Sequence, residues 1–184
     1  MIEPVQVLGQ PAVRLACADG AQATVLTHGA QVVSWIPAGD VERLYLSPLA
    51  SAGRGQAVRG GVPVIFPQFE RRGPLPRHGF ARVHEWQWIE GHDRDGHTMG
   101  LWRLTDDDAT RVQWPHAFEA ELCVSIEGAS LEIELAVVNT GSTAFDFTAA
   151  LHTYLLCDDL ARTRLHGLYG AAYEDSLDGR TGRQ

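Results

Sequence analysis

From Phe118 to Val138 the chain alternates with period two, and that alternation restricts the fold more than any other feature. Phe118, Ala120, Leu122, Val124 and Ile126 are interleaved with Glu119, Glu121, Cys123, Ser125 and Glu127. After Gly128-Ala129-Ser130, read as a three-residue turn, Leu131, Ile133, Leu135 and Val137 alternate with Glu132, Glu134, Ala136 and Val138. Successive side chains of a strand point to opposite faces, so the two runs predict a hairpin with one buried and one wet face. Segments 22–26, 31–36, 43–46, 83–89 and 99–104 behave alike. Each is short, rich in β-branched or aromatic residues, and bounded by Gly, Asn, Asp or Pro. No window sustains a helical stripe. The expectation is an all-β protein, a large antiparallel β-sandwich, with residues 1–184 forming a single domain. A hydrophobic content of 45% is enough to fill its core.

Segment 145–156 (FDFTAALHTYLL) is read as one further strand. Phe145, Phe147, Ala149, Leu151, Thr153 and Leu155 would face one way. His152 would share the other face with Thr148, Ala150 and Tyr154, a mixture of small and polar groups suited to the floor of a cleft. A core histidine bonded to Tyr154 or to backbone is the alternative.

Segment 59–82 (RGGVPVIFPQFERRGPLPRHGFAR) is too broken for a helix and too apolar for a solvated linker. Gly60, Gly61, Pro63, Pro67, Pro74 and Pro76 fix its backbone at close intervals. It displays Arg59, His78 and Arg82 on a constrained loop, which reads as a site or as a solvated arginine cluster on a rigid turn. Phe66, Phe69 and Phe80 suit an apolar wall for a ring-shaped ligand, or simple core.

Charge and composition exclude several functions. The net charge of −8 argues against nucleic acid or an anionic membrane as the main partner. It leaves room for a small anion at a local arginine cluster. The chain has no lysine, which removes Schiff-base chemistry and a Walker-type phosphate loop. Cys17, Cys123 and Cys157 are odd in number, widely spaced and without a CxxC pair, so a reducing, cytoplasmic setting is expected. The opening MIEPVQVLG has no secretory pattern, and no apolar run approaches membrane-spanning length.

Several motifs fail on inspection. GRGQAV (53–58) begins like a dinucleotide loop but has valine where the last glycine belongs. DRDGH (93–97) resembles the start of a calcium loop, lacks the later acidic ligands, and is expected to be a hairpin turn. There is no GxSxG elbow and no HExxH pair, so no metal is predicted. His92, His97 and His116 are expected to be solvated, while His28 and His84 stay open. His78 and His152 remain, with Arg59 and Arg82. Two imidazoles suit acid–base chemistry near neutrality, since histidine titrates near pH ~6.5. Two guanidiniums suit a phosphate or carboxylate.

The runs RGGVPVIFPQF (59–69), LPRHGFAR (75–82), WPHAF (114–118), NTG (139–141), ALHTYL (150–155) and GLYGAAYED (167–175) resemble the hexose-6-phosphate mutarotases of the aldose 1-epimerase-like group. The likeness spans about residues 29–175 with its motifs in matching order. It implies a galactose mutarotase-like β-sandwich that interconverts the α and β anomers of a phosphorylated aldose without a cofactor. By resemblance His152 is the general acid at the ring oxygen and His78 hydrogen-bonds and polarises the sugar. Arg59 and Arg82 anchor the substrate, the phosphate being their expected target, and Gln68 and Phe69 also bind it. Members of the group run longer. Their general base, a glutamate, and a sugar-binding aspartate lie in the part that would follow Gln184. Glu174 and Asp175 precede an expected polar tail, SLDGRTGRQ (176–184), and match neither. Strand edges left uncovered by the shorter sandwich would favour self-association. A sugar-phosphate-binding sandwich without catalysis is the second reading.

Overall fold

The computed structural model describes residues 1–175 and 177–184; Ser176, at the head of the expected tail, lies outside the described residues. Its frame is two four-stranded antiparallel sheets. The first, in sequential order, contains β1 (Ile2–Val7), β2 (Gln10–Ala16), β3 (Gln22–Leu26) and β4 (Val32–Ile36). The second contains β6 (Gln87–Arg94), β7 (His97–Thr105), β8 (Phe118–Glu127) and β9 (Ser130–Asn139). The chain is all-β, as its alternation requires. β1 and β2 went unread in the sequence because they alternate only weakly.

The core lies between the sheets. Leu15, Ala23 and Val25 from the first sheet meet Trp102, Leu122, Val124 and Ile126 from the second, all but sealed from solvent. β8 shows the cause most plainly, alternating buried and half-buried residues from Phe118 to Ile126. Its hairpin partner follows in unbroken register from Phe118↔Asn139 to Glu127↔Ser130. The turn is therefore shorter than expected: Ser130 joins the ladder, and Gly128 takes the positive φ of 57° that a tight turn needs. The turn expected in DRDGH is present, with Arg94 opposite His97 across Asp95-Gly96.

The only α-helix among the described residues is α1 (Asp108–Gln113). Asp107 caps it, accepting from the Thr110 N–H at 2.7 Å while Thr110 Oγ1 accepts from the Asp107 N–H at 2.8 Å. Among the described residues no helix is long and apolar enough to cross a membrane. Part of the expected tail is structured, since β11 (Ala172–Glu174) pairs with β12 (Thr181–Arg183).

Segment 145–156 departs from expectation in an instructive way. Only β10 (Ala150–Leu151) forms a full ladder, with β5 (Val64–Ile65). The same register nevertheless continues on both sides. Thr148 N–H donates to the Pro67 carbonyl at 3.0 Å, His152 N–H to Pro63 at 3.0 Å, and Tyr154 N–H to Gly61 at 2.9 Å. The return bonds from residues 67 and 63 cannot form, because proline has no N–H. The strand is extended, but its ladder is one-sided.

Candidate functional site

Segment 59–82 crosses the end of the core as a folded loop anchored on aromatic side chains. Phe66 is fully buried, with its ring centroid 5.3 Å from Phe118, 5.5 Å from Trp114 and 5.3 Å from Phe147. Phe80 joins the same cluster, so Phe66 and Phe80 are core, while Phe69 is half-buried at the loop surface. The Phe66–Pro67 peptide is cis. Beyond it the loop is buckled by Gln68, whose Nε2 donates to the carbonyls of Glu70 and Leu75 at 3.1 Å each. Its Oε1 accepts from the Leu75 N–H at 2.9 Å. Every polar group of this buried side chain is thus bonded within the loop.

This buckle returns the chain on itself at His78. His78 and Gly79 both take left-handed backbone, at φ 71° and 64°, and the Phe66 carbonyl accepts from Phe80 and Ala81 at 3.1 Å each. His78 N–H donates to the Glu70 carbonyl at 2.9 Å, and the Glu70 N–H donates to His78 Nδ1 at 3.3 Å. A ring nitrogen that accepts an N–H carries no proton, so this bond assigns the tautomer. The neutral ring holds its proton on Nε2. Burial first, then the positive charges of Arg82, Arg77 and His152, push the His78 pKa below the usual histidine value, and Glu70 only partly opposes them.

The one-sided strand brings His152 to this ring. Their centroids lie 5.7 Å apart at 81°, edge to face, and Phe69 meets His78 at 5.6 Å. Tyr154, two residues on and therefore on the same face, stacks on His152 at 5.0 Å and 28°. Thr148, also on this face, uses Oγ1 to accept the Phe69 N–H at 2.7 Å. The face expected from period two is the face observed.

Arginines surround the pair. Arg82 follows His78 on the 3₁₀ turn Ala81–Val83 and donates from Nη2 to the Arg77 carbonyl at 2.9 Å. Its Nε is buried without a hydrogen-bond partner. Burial weighs most against its charge and lowers its pKa; Tyr154 favours the charge, whereas Arg77 and Arg59 oppose it. Arg59 is exposed beside this group. Arg82 thus lies in the field of two further guanidiniums within a chain of net charge −8, a local positive patch suited to an anion. The nearby carboxylates already have partners: Glu70 pairs with Arg77 at 2.8 Å, and Glu174 with Arg72 at 2.5 Å.

The other histidines separate from this group. His28 is sealed in, Nδ1 on Glu85 at 2.8 Å and Nε2 on the Gln56 carbonyl at 2.7 Å. His84 donates from Nδ1 to the Phe80 carbonyl at 2.9 Å. His116 is half-buried against Trp114 and Phe145, at 4.7 and 5.2 Å, rather than solvated. Among the described residues no cluster of His, Cys, Asp and Glu has the geometry of a metal site. Arg77 escaped the sequence reading, and Tyr154 was read only as a neighbour of His152 on its face, not as a site residue. Adjacency to His78 and spacing of two from His152 were the signals that could have found them.

Comparison with known proteins places this geometry in context. Residues 11–183 match the family described as aldose 1-epimerase. A protein named "Putative glucose-6-phosphate 1-epimerase" from Escherichia coli K12 is 37% identical over 153 residues, which cover 80% of this chain and 49% of that protein. One with the same name from Cenchrus ciliaris is 32% identical over 169 residues, 84% of this chain and 50% of its own length. The crystal structure of a protein described as "a putative mutarotase (YeaD)" from Salmonella typhimurium superposes with a TM-score of 0.89 at 30% identity. That superposition covers all of this chain and 61% of that one. The chain spans about half the length of the curated relatives it matches.

Proposed function

The chain belongs to the aldose 1-epimerase family, and from that premise we propose that it carries the proton-donating and anion-binding part of a hexose 6-phosphate mutarotase site. The observation that carries the reading is the meeting of His152 and His78, 5.7 Å apart, beside Arg82, Arg77 and Arg59. Relatives named for glucose-6-phosphate 1-epimerisation support the substrate class.

The proposed chemistry opens and recloses a hemiacetal. A proton is delivered to the ring oxygen as its bond to the anomeric carbon breaks, and another is removed from the anomeric hydroxyl as the carbonyl forms. Rotation about the adjacent bond exposes the other carbonyl face, and the reverse transfers close the ring. In this reading His152 is the donor to the ring oxygen. His78, protonated on Nε2 and disfavoured as a cation, serves as a neutral hydrogen-bond donor to the sugar. Arg82 and Arg59 hold the phosphate, whose oxygens offer partners for guanidinium N–H groups. Gln68 acts through the loop it braces rather than by touching substrate, and Phe69 lies against the sugar face beside His78. Glu70 and Glu174 are held by Arg77 and Arg72, which leaves neither free to take the proton from the anomeric hydroxyl.

Two measurements test this. Glucose 6-phosphate should shift the ring resonances of His78 and His152 saturably, while free glucose at the same concentration should not; unmoved rings would sink the proposal. In protein that exchanges anomers, His152→Asn should slow exchange measured by saturation-transfer NMR by about 10²- to 10⁴-fold, the scale of one acid–base group. Rates within a few-fold of the parent would remove His152 from the donor role.

A further inference from the structure

The loop between β3 and β4, residues 27–31, carries two polar side chains sealed from solvent that the proposed site does not use, His28 and Gln31. Both reach the segments that bear Arg59 and Arg82. Gln31 Nε2 donates to the Gly60 carbonyl at 2.6 Å and to the Val58 carbonyl at 3.4 Å, the residues on either side of Arg59. Gly29, at φ 74°, packs against the main chain of Arg82. A Cβ there would lie 2.7 Å from the Arg82 carbonyl oxygen and 3.1 Å from its carbon. Backbone bonds fix that contact: Gly29 N–H donates to the His84 carbonyl at 2.7 Å, and Trp86 N–H to Thr27 at 2.9 Å.

His28 joins the two sides directly. Its Nε2 lies 2.7 Å from the Gln56 carbonyl, three residues before Arg59. Its Nδ1 lies 2.8 Å from a carboxylate oxygen of Glu85, three residues after Arg82. A carbonyl and a carboxylate only accept, so both ring nitrogens donate. An amide side chain in this place could serve one acceptor and not the other.

We propose that loop 27–31 is the spacer that sets the separation of Arg59 and Arg82, with His28 and Gln31 as positioning residues for anion binding. The inference rests on the reading of those two arginines as the phosphate anchor. Neither His28 nor Gln31 touches a ligand; each fixes main chain beside an arginine. A phosphate held by two guanidiniums needs their spacing as well as their charge.

Titration calorimetry of the 184-residue chain with glucose 6-phosphate tests it. His28→Gln, which keeps one donor, and Gln31→Met, which keeps the volume, should each weaken binding at least about fivefold. In an Arg59→Ala background no spacing is left to set, so each should cost less than about twofold more. Glu85→Ala separates geometry from charge. By charge alone, removing a carboxylate near an anion site tightens binding; as a loss of positioning it should weaken binding. Glu85→Gln keeps an acceptor for His28 Nδ1–H and should bind at least as well as the parent. The Glu85 side chain is 60% exposed, so this pair keeps the fold and decides the matter where a buried variant does not fold, with circular dichroism as the check. His28→Gln and Gln31→Met that bind within about twofold of the parent, while Arg59→Ala costs about tenfold, overturn the spacer and leave the phosphate reading standing. So do equal losses with and without Arg59, the mark of a merely structural role, or tighter binding by Glu85→Ala. An Arg59→Ala variant that binds as the parent does removes the anchor, and this inference with it.

Discussion

Gly79→Ala should damage the site through backbone geometry alone, and the cost can be compared with a matched control. Gly79 has φ +64°, and a Cβ there would lie 2.7 Å from the Phe66 carbonyl carbon and 2.8 Å from the Pro67 nitrogen, nearer still to the Phe66 oxygen. Those atoms are main chain, sandwiched between the aromatic cluster and the His78 turn, and they have nowhere to move. Gly39, in the turn after β4, has φ +68°, and a Cβ there would meet nothing within 4 Å, so Gly39→Ala carries only the left-handed backbone penalty. That penalty is about 1–2 kcal/mol. At Gly79 the same penalty is joined by loss or lengthening of the two bonds from Phe80 and Ala81 to the Phe66 carbonyl, about 1 kcal/mol each. The total is about 3–4 kcal/mol against about 1–2 for the control. At ~2–4 °C per kcal/mol for a chain of this size, Gly79→Ala should melt at least ~4 °C below Gly39→Ala. Calorimetry gives the melting points, and the His78 ring resonances report whether the site moved. Melting points within about 2 °C of each other would refute the argument that the Phe66 carbonyl leaves no room at residue 79.

Arg59→Ala should weaken hexose 6-phosphate binding by at least about tenfold, since a charge-assisted hydrogen bond contributes about 1.5–3 kcal/mol; free glucose should bind almost unchanged, and equal losses for both sugars in titration calorimetry would remove the phosphate role. The His78 ring should titrate below the ordinary histidine value of ~6.5. Arg82→Met should raise that midpoint by removing a positive neighbour, yet leave it below ~6.5, because burial is the larger cause. The unfolded chain then binds the extra proton first, so the contribution of His78 to stability is complete above about pH 6.5 and is lost as pH falls through its folded-state pKa. Ring chemical shifts followed against pH, with His78→Gln as the reference in pH-dependent denaturation, check both signs.

Much of the site was legible in the primary structure for simple geometric reasons. Period two is a local property of an extended chain, so β8, β9 and the DRDGH turn follow from neighbours in sequence. The shared face of Thr148, His152 and Tyr154 follows for the same reason. Proline and glycine spacing likewise marks 59–82 as a fixed loop, since those residues act on their own dihedrals. Other outcomes depended on what the chain meets after folding. Prolines 63 and 67 reduced an expected twelve-residue strand to a one-sided ladder only because segment 145–156 lies against them. Phe66 and Phe80 became core while Phe69 stayed at the surface, a division that the aromatic cluster with Trp114 and Phe118 decides. The hydrogen bonds of Gln68 brace its own loop, and Arg77 entered the site through its own carbonyl, which accepts from Arg82. The tautomer of His78 was likewise invisible in sequence, because the N–H that fixes it belongs to Glu70, eight residues away and adjacent only in the folded loop. Side-chain periodicity and backbone restriction are written residue by residue; partners, protons and the meeting of His78 with His152 are set by distance in space, which the fold alone supplies.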